Sequence, residues 1–123
     1  MATVMVVDDM ESSRLIVSRL LKAEGYTPVC AANGAEALAI LPHIRPAVVL
    51  LDVMMPVMDG ISFLEVIRRD PQWQALPVIL LSARSDAETI ARAQELGAKE
   101  YLVKSSFSIQ EIMGHVHRYT QQH

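Results

Sequence analysis

The sequence is poor in cysteine, in long apolar runs and in positive charge. Its single cysteine, Cys30, cannot form an internal disulfide, which is typical of proteins from a reducing compartment. No apolar run reaches the roughly eighteen residues that a membrane-spanning helix needs. The formal net charge of −3 argues against electrostatic attraction to nucleic acid. We therefore expect a cytoplasmic protein that binds neither membranes nor nucleic acid directly.

Glycine is scarce as well, with five residues in a chain of 123, and no glycine-rich loop follows the first apolar run. Two acidic residues, Asp8 and Asp9, occupy that place instead. An anionic cofactor such as a flavin phosphate would be repelled there unless a metal ion intervened. The sequence therefore argues against a nucleotide site of the glycine-loop type.

The composition that remains is that of one globular domain, with 51% hydrophobic and 20% charged residues. Strand-like and helix-like segments alternate five times, a pattern typical of βαβ units. We predict an α/β fold in which a doubly wound parallel sheet carries helices on both faces. The prediction is a single domain over residues 1–123, with no output domain in the chain.

Capping residues and prolines mark the predicted helix boundaries. The first helix is expected from about Ser12 to Glu24, and Pro42 is expected to limit the second helix. Pro28 removes a backbone donor from the second strand, which favours an edge position in the sheet. The predicted N-caps of helices two to five are Asn33, Asp59, Ser85 and Ser108.

Each predicted strand except the second ends in a polar residue that can do chemistry. The first ends at Asp8 and Asp9, the third at Asp52, the fourth at Ser82 and the fifth at Lys104. Each residue alone is most often a turn, capping or surface residue. Parallel strands, however, bring their carboxyl ends to one edge, where open α/β sheets place their ligands. Together, the residues indicate a functional site at that edge.

Three carboxylates at one edge repel one another unless some are protonated or a cation joins them. An all-oxygen site with few protein ligands suits Mg²⁺, which often takes phosphate oxygens as further ligands. Asp8 and Asp9 are then candidate metal ligands, and Asp52 is the candidate nucleophile that would form an acyl phosphate. Lys104 would neutralise charge on the transferred group, and the Ser82 hydroxyl would donate a hydrogen bond to it.

With these residues placed, the chain resembles the receiver domain of two-component response regulators over essentially its whole length. The resemblance implies a flavodoxin-like sheet of five strands in the order 2-1-3-4-5. It also implies a phosphorylation-dependent, chemotaxis-regulator-like signalling switch, not an enzyme that turns over an external substrate. The matching residues are Asp8, Asp9, Asp52 within the segment 52–60, Ser82, Ala83, Tyr101 and Lys104.

The resemblance also implies partners and residue roles. A histidine kinase or histidine phosphotransfer protein would donate a phosphoryl group to Asp52. Ala83 would leave room for that group and offer its amide, while Ser82 would swing toward it and Tyr101 would turn inward. This would reshape the face formed by helix four, strand five and helix five for an unknown output protein or for phosphorylation-dependent homodimerisation. Mg²⁺, with Mn²⁺ as the alternative, would be bound by Asp8, Asp9, Asp52 and the backbone carbonyl of Met54.

One residue departs from the family pattern. Ser105 follows Lys104 where the family usually has proline, commonly after a cis peptide bond. A cis bond before serine costs about 3 kcal/mol, so we expect a trans bond there. We further hypothesise that Met54 and Arg84, which flank the predicted phosphate, tune the lifetime of the acyl phosphate by controlling access of water.

Two alternative functions fit the residues less well. A phosphohydrolase with an aspartyl-phosphate intermediate, as in the haloacid-dehalogenase-like enzymes, would have a second Asp two residues after the nucleophile. That position is Met54 here. An interaction module that never takes phosphate would be expected to lack one of the acids or the lysine, and the chain has them all.

Overall fold

The computed structural model describes residues 2–83 and 85–121. In these ranges strands and helices alternate, and two short 3₁₀ helices, η1 (Pro71–Trp73) and η2 (Lys104–Ser106), lie before β4 and after β5. The strands are β1 (Thr3–Val7), β2 (Thr27–Ala31), β3 (Val48–Asp52), β4 (Val78–Ser82) and β5 (Glu100–Val103). The helices are α1 (Glu11–Ala23), α2 (Gly34–Ile44), α3 (Gly60–Arg68), α4 (Ala87–Glu95) and α5 (Ile109–Thr120).

All neighbouring strands of the sheet pair in parallel, in the order β2-β1-β3-β4-β5. This order confirms the predicted flavodoxin-like topology. The chain leaves β1 toward β2 on one side and returns to β3 on the other, so β1 and β3 flank the point where strand order reverses. Pro28 lies on the edge strand β2, as predicted.

The sheet is buried because helices cover both of its faces. On one face Met5, Leu51 and Leu80 pack with side chains from α2, α3 and α4. On the other face Val6 and Leu50 pack with side chains from α1 and α5. Every residue of β3 is buried as a result, which explains why its sequence is continuously apolar up to Asp52. None of the helices in the described ranges has the length and apolar character to cross a membrane.

The predicted N-caps are confirmed at three helices and wrong at one. Asn33, Asp59 and Ser108 cap α2, α3 and α5, and Ser108 forms a complete capping box with Glu111. Helix α4 is capped by Asp86 and not by Ser85. The Asp86 carboxylate accepts hydrogen bonds from both the backbone nitrogen and the hydroxyl of Thr89, at 3.2 and 2.6 Å. A carboxylate that accepts two bonds explains why the helix begins one residue later than predicted.

Pro42 does not end α2, which continues to Ile44. In the last turn of a helix a proline removes one backbone hydrogen bond and leaves the remaining turn intact. Leu41 is buried in the core beside it, and Ile44 packs against the same core. Tertiary packing therefore holds two more residues in the helix than the proline alone predicts.

Candidate functional site

Three carboxylates lie together at the carboxyl edge of β1 and β3. Asp8 and Asp9 follow β1, and Asp52 is the last residue of β3. One carboxylate oxygen of each lies within 4.8 Å of the other two. Asp8 and Asp52 are buried, whereas Asp9 is exposed. The structure thus brings together the three acids that the strand-end pattern singles out.

Lys104 reaches the same cluster from the end of β5. Its ammonium nitrogen donates a hydrogen bond to Oδ2 of Asp52 at 3.1 Å and lies 3.9 Å from Oδ2 of Asp8. Because β4 lies between β3 and β5, the lysine side chain extends across the end of β4 to reach Asp52. The lysine therefore offsets the charge of two of the three carboxylates.

The surroundings of Asp52 disfavour the charged form of its carboxylate. Burial raises the pKa of Asp52 above its ordinary value, and the charge of Asp8 adds to that effect. The attraction and hydrogen bond of Lys104 act in the opposite direction, as does a 3.3 Å hydrogen bond from the backbone nitrogen of Met54. A divalent cation with oxygen ligands would relieve the remaining repulsion, and the donor set of three carboxylates suits Mg²⁺.

The loop between β3 and α3 closes tightly on Asp52 through Gly60. The backbone nitrogen of Gly60 donates to the carbonyl of Val53 at 2.9 Å. A Cβ atom placed on Gly60 would overlap the backbone oxygen of Asp52. Only glycine permits this close approach of two backbone segments. Gly60 was not among the predicted site residues, although a glycine directly after the N-cap Asp59 is a signal that could have identified it.

The same loop contains a strained residue at Val57. Its φ is +69°, a left-handed value that β-branched residues rarely adopt. The backbone nitrogen of Met58 donates to the carbonyl of Pro56 at 2.7 Å, which makes Val57 the centre of a three-residue γ-turn. The Val57 residue is 83% exposed, so packing does not explain its conformation.

Ser82, Ala83 and Tyr101 belong to β4, to the loop after it and to β5. Ser82 ends β4 and is fully buried between β3 and β5, and Ala83 beside it is exposed. Tyr101 on β5 is half-buried and packs against the core layer of α2, α3 and α4. Together with Ile90 and Ala93 of α4, it lines a cleft of about 250 Å³ between α4 and β5.

The segment after Lys104 differs from the family pattern without displacing the lysine. Lys104 and the two serines that follow form the 3₁₀ helix η2. No cis peptide bond occurs in the described ranges, so the expected trans bond before Ser105 is confirmed. Met54 is half-exposed beside the acids, and Arg84 lies outside the described residues.

Exposed apolar side chains lie on the loops and helices next to the acidic centre. They come from the loop after β1, from α1, from the loop after β3 and from the start of α5. A cavity of about 190 Å³ between α1 and α5 opens beside Asp8 and Lys104. We call these side chains the apolar rim; they are Met10, Ile16, Met54, Val57 and Ile109.

Known proteins with similar sequences are response regulators. The response regulator receiver domain family matches residues 4–117. The DNA-binding response regulator MtrA of Mycolicibacterium paratuberculosis is 33% identical over 113 residues, which cover 92% of this chain and 48% of MtrA. The chain spans 21% to 48% of the length of eight of the curated relatives that it matches.

Solved structures show the same fold over nearly the whole chain. The chemotaxis protein CheY4 of Vibrio cholerae is 35% identical with a TM-score of 0.89, covering 97% of this chain and 98% of CheY4. The response regulator protein TrrA of Thermotoga maritima, in complex with Mg²⁺ and BeF, is 32% identical with a TM-score of 0.84. That alignment covers 97% of this chain and 99% of TrrA.

Proposed function

Since the chain belongs to the response regulator receiver domain family, whose members are phosphorylation-dependent switches of two-component signalling, we propose that Asp52 accepts the phosphoryl group. An oxygen of the Asp52 carboxylate would attack phosphorus. The bond from phosphorus to the imidazole nitrogen of a donor phosphohistidine would break, and the imidazole would leave with that electron pair. The observation that carries the proposal is the buried Asp52 carboxylate, flanked by two acids and bonded to Lys104.

We propose Asp8, Asp9, Asp52 and the backbone carbonyl of Met54 as the ligands of Mg²⁺, with Mn²⁺ as an alternative ion. Bound there, the metal would neutralise the acids and the charge on the phosphoryl oxygens. The all-oxygen donor set and the raised pKa of Asp52 support the assignment. The relative TrrA was solved with Mg²⁺ and BeF, which supports the same ion here.

The other site residues would bind the phosphoryl group and transmit its presence. Lys104 would pair with a phosphoryl oxygen while keeping its position beside Asp52. The Ser82 hydroxyl and the Ala83 amide would donate to the remaining oxygens. The cleft beside Tyr101 leaves room for its ring to turn inward, toward α4. The changed face of α4, β5 and α5 would then bind an output protein or a second copy of the chain.

We propose a switch that modifies itself and has no external substrate. The position two residues after Asp52, where an aspartyl-phosphate hydrolase of the haloacid-dehalogenase type has its second Asp, is Met54. Its half-exposed side chain carries no group that could act as a general acid or base. We propose the cytoplasm as the compartment, where the thiol of Cys30 stays reduced.

Incubation with Mg²⁺ and acetyl phosphate tests the phosphoacceptor. We expect intact-mass measurement to detect one added phosphoryl group on the wild-type protein and none on Asp52→Asn. Asp59→Asn is the matched control, because Asp59 is an exposed carboxylate on the same loop and asparagine also caps helices. Equal labelling of Asp52→Asn and the wild type would contradict the assignment.

We propose that the apolar rim binds the phosphodonor, which is a histidine kinase or a histidine phosphotransfer protein. Apolar side chains around a charged centre suit a docking surface whose middle carries the chemistry. Ile16→Glu on α1 should slow transfer from a purified phosphotransfer domain and leave labelling by acetyl phosphate unchanged. Val66→Glu, at an exposed position on α3, should change neither rate. If Ile16→Glu slowed labelling equally with the phosphotransfer domain and with acetyl phosphate, the substitution would affect the phosphorylation step and not docking, which would contradict the proposal.

A further inference from the structure

Asp8 is fixed from four directions, and Arg14 supplies one of the contacts. The backbone nitrogen of Asp8 donates to Ala31 at 3.1 Å, and its Oδ1 accepts from the backbone nitrogen of Met10 at 2.9 Å. Its backbone carbonyl accepts a 2.6 Å hydrogen bond from the guanidinium of Arg14. Its Oδ2 faces Lys104 at 3.9 Å. The carboxylate therefore presents Oδ2 to the acidic centre in one orientation.

Asp9 differs from Asp8 in every one of these respects. It is exposed, and its carboxylate forms no hydrogen bond or ion pair within the ranges that the structure describes. Asp8 is thus pre-organised for a ligand, whereas Asp9 must be ordered when a ligand binds. The affinity of the acidic centre for a cation therefore depends on how firmly Asp8 is fixed.

Arg14 is the side chain that ties this loop to α1. The N-cap of α1 is Met10, which has no side-chain hydrogen bond to the helix. Arg14 lies one turn into the helix. Its guanidinium donates to the backbone carbonyl of Asp8 and so links α1 to the end of β1. A short hydrogen bond with a charged donor is among the stronger ones in proteins. Without it, the backbone between β1 and α1 would lose its only side-chain tether from the helix among the described residues.

We propose that Arg14 is a positioning residue for the metal, acting through the backbone of Asp8. The inference rests on the proposed function, because it assumes that the acidic centre binds Mg²⁺. Two effects of Arg14 on Mg²⁺ have opposite signs. Its positive charge opposes a nearby cation, whereas its hydrogen bond orders a ligand of that cation. Because the guanidinium bonds directly to the Asp8 backbone, ordering is the larger effect in this proposal.

Calorimetric titration with Mg²⁺ alone tests the inference, since it does not depend on phosphorylation. We expect Arg14→Met to weaken Mg²⁺ binding by roughly tenfold, as supporting residues of metal ligands typically do. Arg14→Lys, which keeps a hydrogen-bond donor and the positive charge, should retain much of the wild-type affinity for Mg²⁺. Arg19→Met is the matched control, because Arg19 is exposed on the same helix and has no bond to the loop; its affinity should equal that of the wild type.

The outcomes separate the explanations. Unchanged or tighter Mg²⁺ binding by Arg14→Met would overturn the inference, because removal of the charge alone favours the cation. Amide exchange at Met10 gives a second readout: it should quicken in Arg14→Met and not in Arg19→Met, and equal exchange in both would also overturn the inference. If the wild-type protein does not bind Mg²⁺, the proposed metal site fails instead.

Discussion

The ammonium nitrogen of Lys104 lies 3.1 Å from Oδ2 of Asp52, although Asp52 ends β3, Lys104 follows β5, and these strands are not neighbours in the sheet. The contact spans the end of β4 and partly neutralises the buried carboxylate of Asp52. It does not fully offset burial, since the pKa of Asp52 remains raised. The folded protein therefore carries an unfavourable charge at the proposed phosphoacceptor.

Asp52→Asn should stabilise the metal-free protein at pH 7. Because the pKa of Asp52 is raised, the folded state binds its proton more tightly than the unfolded chain does. The contribution of Asp52 to the free energy of unfolding therefore falls as the pH rises from the pKa of Asp52 in the unfolded chain to its higher pKa in the folded protein. The asparagine lacks the charge, so we expect the thermal midpoint in EDTA to rise by a few degrees. Asp59→Asn, at an exposed position, should leave it nearly unchanged, and a lower midpoint for Asp52→Asn would contradict the prediction.

Gly60→Ala should displace the backbone at Asp52. Its Cβ would overlap the Asp52 carbonyl, and relief of such overlap costs about 1–3 kcal/mol of stability. We expect slower labelling by acetyl phosphate together with a lower urea midpoint. Gly114→Ala is the matched control: nothing lies within 4 Å of its added Cβ, and Gly to Ala inside a helix stabilises by about 0.5–1 kcal/mol. Wild-type stability and labelling in Gly60→Ala would refute the steric argument.

Val57→Gly should raise stability, although it removes an apolar side chain. Valine at a φ of +69° is strained by roughly 1–2 kcal/mol, and glycine is not. The greater freedom of glycine in the unfolded chain offsets about 0.4–1 kcal/mol of that gain. Urea denaturation should therefore show a small net stabilisation. The same change at Val66, exposed in α3, should destabilise, and a destabilised Val57→Gly would show that the turn is not strained.

Arg68→Met should weaken the connection between α3 and α4. The Arg68 guanidinium donates to the carbonyls of Trp73, Leu96 and Gly97 at 2.6, 2.7 and 3.1 Å. Burial lowers the pKa of this guanidinium, which pairs with carbonyls and not with a carboxylate among the described residues. Arg68→Met would leave these carbonyls without hydrogen-bond donors, which lowers the free energy of unfolding by about 1–3 kcal/mol. Chemical denaturation, monitored by Trp73 fluorescence, should show this loss of stability in Arg68→Met. Arg69→Met, at an exposed site, should not show it.

The sequence by itself determined the elements and the chemical character of the site. Continuous apolar strands require cover on both faces, so the parallel sheet follows from local pattern. The side chains of Asn33, Asp59 and Ser108 accept bonds from nearby backbone within three residues, which is why those helix starts were predictable. Parallel strands deliver their ends to one edge, so the meeting of Asp52 with Asp8 followed from topology.

Tertiary structure alone decided the contacts that hold the site in shape. The overlap that excludes a side chain at Gly60 depends on the path of a whole loop, and the strain at Val57 depends on how that loop closes. The bond from Arg14 to the Asp8 carbonyl is invisible in the sequence because its acceptor is backbone, which every residue carries. Local patterns identify which groups can react, whereas long-range packing sets the distances and orientations between them.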